Sequence, residues 1–149
     1  MSAFNEINVT CENCGEEFKG TVWTAIHAAQ DPELKEMLLG GELNILFCPK
    51  CAHTFFYEHF LLYQEPRIKL VAYVYPLAEE ARKKELEILM KRGFDEAQEA
   101  FDPKDRLPYG PTLFFGLESL KERVRQDEDR LLAEEVAEAH RRSAEATND

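Results

Sequence analysis

A chain of 149 residues with a formal charge of −11 and 44% hydrophobic content is one ordinary domain by length, able to bury about 70% of its unfolded surface. That composition excludes general disorder, and no apolar run reaches the roughly 20 residues of a membrane helix. The acidity, spread over both halves of the chain, opposes nonspecific binding to phosphate backbones.

In chain order, Met1 to Thr10 shows no basic region followed by an apolar one, so no signal peptide is expected. Ile7 to Thr10 reads as a short strand entering Cys11-Glu12-Asn13-Cys14. Gly15 follows, where a residue tolerant of positive φ lets the chain leave a tight turn. Glu17 to Ile26 reads as a strand. Asp31-Pro32 starts a helix, with Asp as N-cap and Pro at the first helical position. Leu34, Met37 and Leu38 give that helix an apolar face, and Gly40-Gly41 ends it. Glu42 to Phe47 returns as a strand to the second cysteine turn, Cys48-Pro49-Lys50-Cys51.

The two CxxC turns hold all four cysteines of the chain. Each can aim two sulfurs and its backbone N–H groups at one point, where a Zn²⁺ ion takes four thiolates in tetrahedral geometry. Cys11, Cys14, Cys48 and Cys51 are therefore the expected metal ligands. The alternative is a pair of redox CxxC motifs or plain buried cysteines. Paired CxxC turns without an export signal point to reduced thiols in the cytoplasm.

Beyond Cys51, Thr54 to Tyr63 is densely apolar and aromatic, and Tyr63 to Arg67 reads as a turn. Ile68 to Tyr75 is a strand with Ile68, Leu70, Ala72 and Val74 on one face. Its apolar alternation on both faces predicts a sheet covered on both sides, chiefly by the helices that follow. Leu77 to Arg92 reads as a helix carrying Leu77, Ala81 and Ile88 on one stripe, with Gly93 as stop. Phe94 to Phe101 is a candidate short helix, Asp102 to Pro111 a loop, and Thr112 to Phe115 a last strand. A long charged helix runs from Gly116 to about Arg142. Its stripe of Leu117, Leu120, Val124 and Leu131 predicts that the first two turns dock on the sheet and the later turns project, offering Leu132 and Val136. Ser143 to Asp149 reads as a frayed tail.

The order CxxC, Val22-Trp23, Asp31-Pro32-Glu33-Leu34, Gly41-Glu42-Leu43-Asn44, Cys48-Pro49-Lys50-Cys51, Leu61-Leu62-Tyr63 and Phe115-Gly116-Leu117-Glu118-Ser119-Leu120 resembles the CpXC domain family of bacteria and archaea. The resemblance spans roughly residues 7–125. It implies zinc binding and supplies no activity. The first turn lacks the second's proline, and Ala52 stands where such turns usually carry Gly. An alanine held at positive φ there costs about 1–3 kcal/mol, which zinc binding of about 10–16 kcal/mol in peptides can absorb. Gln64-Glu65 departs from the His-Asp associated with that place in the family.

Other chemistry is weaker. Four cysteines fill a zinc shell and leave no position for water, so no catalytic residue is expected. His53 lies beside the second turn, and His27, His59 and His140 are isolated in sequence. Glu79-Glu80 and Glu134-Glu135 read as solvated helix faces. Arg82-Lys83-Lys84 is a basic run surrounded by glutamates. Phe55-Phe56-Tyr57 with Phe60 reads as sheet core, or as a base-stacking platform or partner patch. The expected protein is thus α+β: a zinc-ribbon end with an inserted helix, a small antiparallel sheet and C-terminal helices. Residues 1–126 form the domain, and 127–149 form a projecting charged helix and tail. The expected role is a zinc-stabilised module binding an unknown protein partner or itself as a homodimer. A nucleic-acid-associated ribbon or a zinc or thiol enzyme are the alternatives.

Overall fold

The computed structural model describes residues 2–147. It is α+β, with a five-stranded sheet, a separate two-stranded antiparallel sheet, and helices that include a long C-terminal one. The strands are β1 (Ala3–Thr10), β2 (Glu17–His27), β3 (Ile45–Phe47), β4 (Thr54–Phe56), β5 (Leu61–Glu65), β6 (Leu70–Tyr75) and β7 (Thr112–Phe115). The helices are α1 (Pro32–Leu39), α2 (Lys83–Glu99) and α3 (Leu117–Thr147). The large sheet runs β1-β2-β5-β6-β7, and β3 pairs with β4. β1/β2 and β5/β6 are antiparallel, whereas β2/β5 and β6/β7 are parallel. Each parallel pair requires a crossover, supplied by the segment holding α1 and the β3–β4 hairpin and by the segment holding α2. Among the described residues no helix is long and apolar enough to cross a membrane.

The principal core lies on one face of the sheet. Leu70, Ala72 and Val74 of β6 join Ile26, Leu61 and Tyr63, and Leu34 and Leu38 of α1 with Leu120 and Val124 of α3 close over them. This is the apolar face expected from the alternation along β6. The opposite face carries aromatics: Phe60 meets Tyr73 and Tyr75 at 5.9 and 4.9 Å, and Tyr75 meets Phe115 at 6.4 Å.

Several boundaries move for physical reasons. Glu42 to Phe47 shortens to Ile45–Phe47 because Asn44 turns to φ 58. The aromatic run splits into β4 and β5, and β5 continues through Tyr63 to Glu65, so the break falls at the 3₁₀ turn Pro66–Ile68 instead. Leu77–Arg82 is a 3₁₀ segment, and α2 runs through Gly93 to Glu99, absorbing the expected short helix. The buried stripe of α2 is Leu86, Met90 and Phe94, spaced by four, while Leu77 and Ile88 are exposed. Burying Phe94 beyond Gly93 outweighs the roughly 1 kcal/mol that a mid-helix glycine costs.

α3 docks further than two turns. Leu117 and Leu131 pack against the core, and Asp127 is accommodated within the stripe by Arg123 at 3.0 Å. Leu132 and Val136 face outward, 59% and 48% exposed. The helix continues past Arg142 to Thr147, and Asn148 and Asp149 lie outside the described residues.

Candidate metal centre

Each cysteine turn caps a hairpin. Cys11 to Glu16 joins β1 to β2, and Cys48 to His53 joins β3 to β4. The turns share one hydrogen-bond pattern. Cys11 N–H donates to Glu16 C=O at 2.8 Å and Gly15 N–H to Cys11 C=O at 2.9 Å; Cys48 N–H donates to His53 C=O at 2.9 Å and Ala52 N–H to Cys48 C=O at 3.0 Å. Ala52 therefore occupies the place of Gly15, with φ 62 against φ 75. The strain anticipated for this alanine is present. Changing Ala52→Gly should relieve about 1–2 kcal/mol of left-handed cost, less about 0.5–1 kcal/mol of added backbone freedom. A chelator-competition titration should show modestly tighter metal binding; weaker binding would contradict the strain argument.

The four Sγ atoms lie within 4.8 Å of one another, a set that can hold a metal ion. The close contacts run between the turns: Cys11 to Cys51 and Cys14 to Cys48, each 3.6 Å. Cys11 and Cys48 are buried, Cys14 and Cys51 half-buried. The two half-buried thiols are pushed in opposite directions. The Asn13 side chain, the His53 backbone and the neighbouring thiols bring Cys51 down to about 6. A backbone hydrogen bond at Glu16 favours the Cys14 thiolate, but burial and the other three cysteines outweigh it and push Cys14 up to about 12. Of the two half-buried thiols Cys51 is therefore the more acidic, with Cys11 and Cys14 hydrogen-bonding to it.

A small second core braces the hairpins behind the sulfurs. Val9, Val22 and Leu46 are buried there, with Ile7, Phe18, Phe55 and Tyr57 around them. Phe18 and Phe55 meet edge to face at 6.3 Å. Gly20 of β2 makes the approach possible, since a Cβ there would lie 3.0 Å from both Leu46 methyls.

At the far end of the β3–β4 hairpin, Asn44 acts as a clasp. Its Oδ1 accepts the Trp23 N–H at 2.8 Å, its Nδ2 donates to the Trp23 C=O at 3.1 Å, and its own C=O accepts Tyr57 N–H at 3.0 Å. The buried amide thereby substitutes for a neighbouring strand at the open edge of β2. Asn tolerates the left-handed backbone better than most residues. Replacing Asn44 by Ala leaves Trp23 backbone groups unpaired, each worth about 1–3 kcal/mol. A total loss of about 2–3 kcal/mol in urea unfolding is expected, and a neutral result would contradict the clasp.

The other candidates scatter. His53 stacks on Phe55 at 5.9 Å and lies outside the sulfur set. His59 Nδ1 meets the Phe60 carbonyl at 2.9 Å, and His27 contributes a buried, unpartnered Nδ1. Arg82 is held by Glu79 and Glu85 at 2.9 and 3.0 Å. Phe55 and Tyr57 brace the second core, whereas Phe56 is 42% exposed. Sequence reasoning missed the roles of Asn44 and Gly20. An Asn directly ahead of a β-rich run, next to a glycine-ended helix, is the signal that marks the first.

No curated protein and no solved structure matches the chain. The CpXC protein family matches residues 9–138, taking in both cysteine turns, Asn44 and the docked part of α3, and the chain belongs to that family.

Proposed function

We propose that Cys11, Cys14, Cys48 and Cys51 hold one structural Zn²⁺, and that the metal-held β3–β4 hairpin presents an interaction surface to a protein partner or to a second copy. The sulfur geometry supports zinc. A tetrahedron with Zn–S bonds of about 2.3 Å has edges of about 3.8 Å, close to the 3.6 Å separations between the turns. Four thiolates leave no open position for water, which favours a structural over a hydrolytic role. Such a site belongs in a reducing compartment such as the cytoplasm.

The observation that carries the interaction reading is the outer face of the hairpin. Leu46 and Phe55 point into the second core, while Ile45, Phe47 and Phe56 are 43%, 61% and 42% exposed. A three-residue strand with both faces apolar has more hydrophobic surface than its own fold uses. Metal at one end and the Asn44 clasp at the other pre-organise that face, which reduces the ordering cost of binding. The turns of α3 beyond Leu131, with Leu132 and Val136 exposed, extend the available surface. If copies associate, a two-fold dimer is the commonest solution.

Phe47→Ser tests this reading without touching either core. Association, measured by light scattering or by zinc-dependent recovery of a partner from the native cell, should weaken by about 2 kcal/mol or more, as for an aromatic hot spot, with zinc content unchanged. Zinc-loaded protein that is monomeric at high concentration and retains no partner in a zinc-dependent way would contradict it. No submicromolar binding to DNA or RNA is expected near physiological salt, because the net charge is −11.

A further inference from the structure

A cavity of about 390 Å³ lies at the seam between the β3–β4 hairpin and the body of the protein. Its volume falls within the roughly 300–1,000 Å³ of small-ligand pockets. Leu38, Leu43, Ile45, Phe56, Leu77 and Leu117 form its apolar walls. Three ionisable side chains reach it: Glu58, Glu118 and Lys121. Glu58 already accepts the Leu77 N–H at 3.2 Å.

Lys121 is different. Its side chain is 12% exposed, and among the described residues its one acceptor is Glu118 at 3.2 Å, a side chain that is itself 90% exposed. An ammonium carries three donors, so most of its hydrogen-bonding capacity is unmet in a largely apolar enclosure. The Nζ sits beside Gly41, where even a Cβ would lie 3.6 Å away, so the backbone there leaves space around the charge. Glu118 thus uses one donor of a mostly buried ammonium from the solvent side, which leaves the others to a ligand carboxylate and the walls to an apolar body.

We propose that this cavity binds a small amphipathic carboxylate, its acyl or aryl chain in the apolar walls and its carboxylate on Lys121. A monoanion can share or take over the ammonium from Glu118, whose side chain is 90% exposed and loses little by turning to water, whereas a phosphate dianion would be repelled more strongly by Glu58 and Glu118. The overall charge of −11 disfavours anions at long range, but physiological salt screens that field beyond about 8 Å. The local ammonium then decides. Because Ile45 and Phe56 supply one wall, the pocket also depends on the hairpin being in place. It shares Ile45 and Phe56 with the partner surface, but Phe47 lies outside the cavity and Lys121 outside the hairpin, so variants at those two positions test the two sites separately.

The test uses metal-loaded full-length protein titrated with octanoate, 1-octanol and octylamine, followed by calorimetry and amide NMR shifts. Octanoate should saturate with shifts at Gly41, Gly116 and Lys121, and should bind about tenfold or more tighter than the alcohol, the worth of one charge-assisted hydrogen bond. Lys121→Met should erase that preference, and Lys121→Arg should keep it, both with unchanged thermal unfolding. Equal binding of acid and alcohol, preference for the amine, or no saturable shift in the millimolar range would overturn the proposal. A short peptide ending in Phe that outbinds octanoate, and fails when amidated, would overturn the free-acid assignment in favour of a protein chain end.

Discussion

Changing Cys48→Ser should abolish stoichiometric metal binding and melt one end of the protein while the other stays folded. Cys48 is fully buried, its sulfur lies 3.6 Å from that of Cys14, and its N–H closes the second turn on His53. A structural zinc supplies about 10–16 kcal/mol in peptide models, far more than a three-residue hairpin can recover by itself. The loss is local because the two cores are separate. Val9, Val22 and Leu46 depend on the hairpin, whereas Tyr63, Leu120 and Val124 sit in the larger core beneath α1 and α3. Side-chain NMR should therefore show collapse of the Val9, Val22 and Leu46 signals with the Tyr63 and Leu120 signals retained, and a strong chelator acting on the unaltered protein should reproduce the pattern. Retention of one metal per chain in the variant, or unfolding of both cores together, would contradict this division.

Lys35→Met should cost about 3–5 kcal/mol, the penalty for breaking a buried ion pair from one side. The Lys35 Nζ donates to Glu65 Oε2 at 2.6 Å and also pairs with Glu128, and the Tyr63 hydroxyl donates to Glu65 Oε1 at 2.6 Å. The Glu65 side chain is 5% exposed. Removing the ammonium leaves that carboxylate buried with a phenol as its remaining partner. Burial loosens the hold of Lys35 on its proton, and Glu128 and Glu65 more than restore it. Burial and Glu65 raise the Tyr63 hydroxyl, so it stays a donor. The outer pairs, Arg67 to Glu128 at 3.4 Å and to Glu135 at 3.3 Å, are exposed and contribute about 0–1 kcal/mol each. A pH signature accompanies the loss. The Lys35 hydrogen bond holds the Glu128 carboxyl below its ordinary range. Its stabilisation is therefore present above the unfolded value of about 4.3 and lost as pH falls through the lower folded value. Urea titrations across the acid range should show that loss in the unaltered protein and a weaker one in Lys35→Met. A variant as stable as the parent at neutral pH would contradict the network.

What the sequence revealed follows from which features are local. The two cysteine turns, the left-handed Ala52, the start of α1 at Asp31-Pro32 and the core face of β6 all rest on spacing or on the backbone demands of single residues. The sulfur cluster was legible because equal CxxC spacing produces equal turns. Asn44, Gly20 and Glu65 were not, because each is explained by a residue far away: the Trp23 backbone, the Leu46 methyls and the Lys35 ammonium. The stop expected at Gly93 failed for the same reason, since burial of Phe94 overrides a local preference. The docked length of α3 was underestimated because Glu128 reaches Lys35 and Arg67, partners that its own helix does not reveal.

We propose that one Zn²⁺ with four sulfur ligands ties the two hairpin tips together. X-ray absorption at the zinc edge of protein purified under reducing conditions, combined with elemental analysis, tests it most directly. About one zinc per chain and a single shell of four sulfurs at about 2.3 Å are expected. A shell containing nitrogen or oxygen, or folded protein with no zinc and four free thiols, would contradict it.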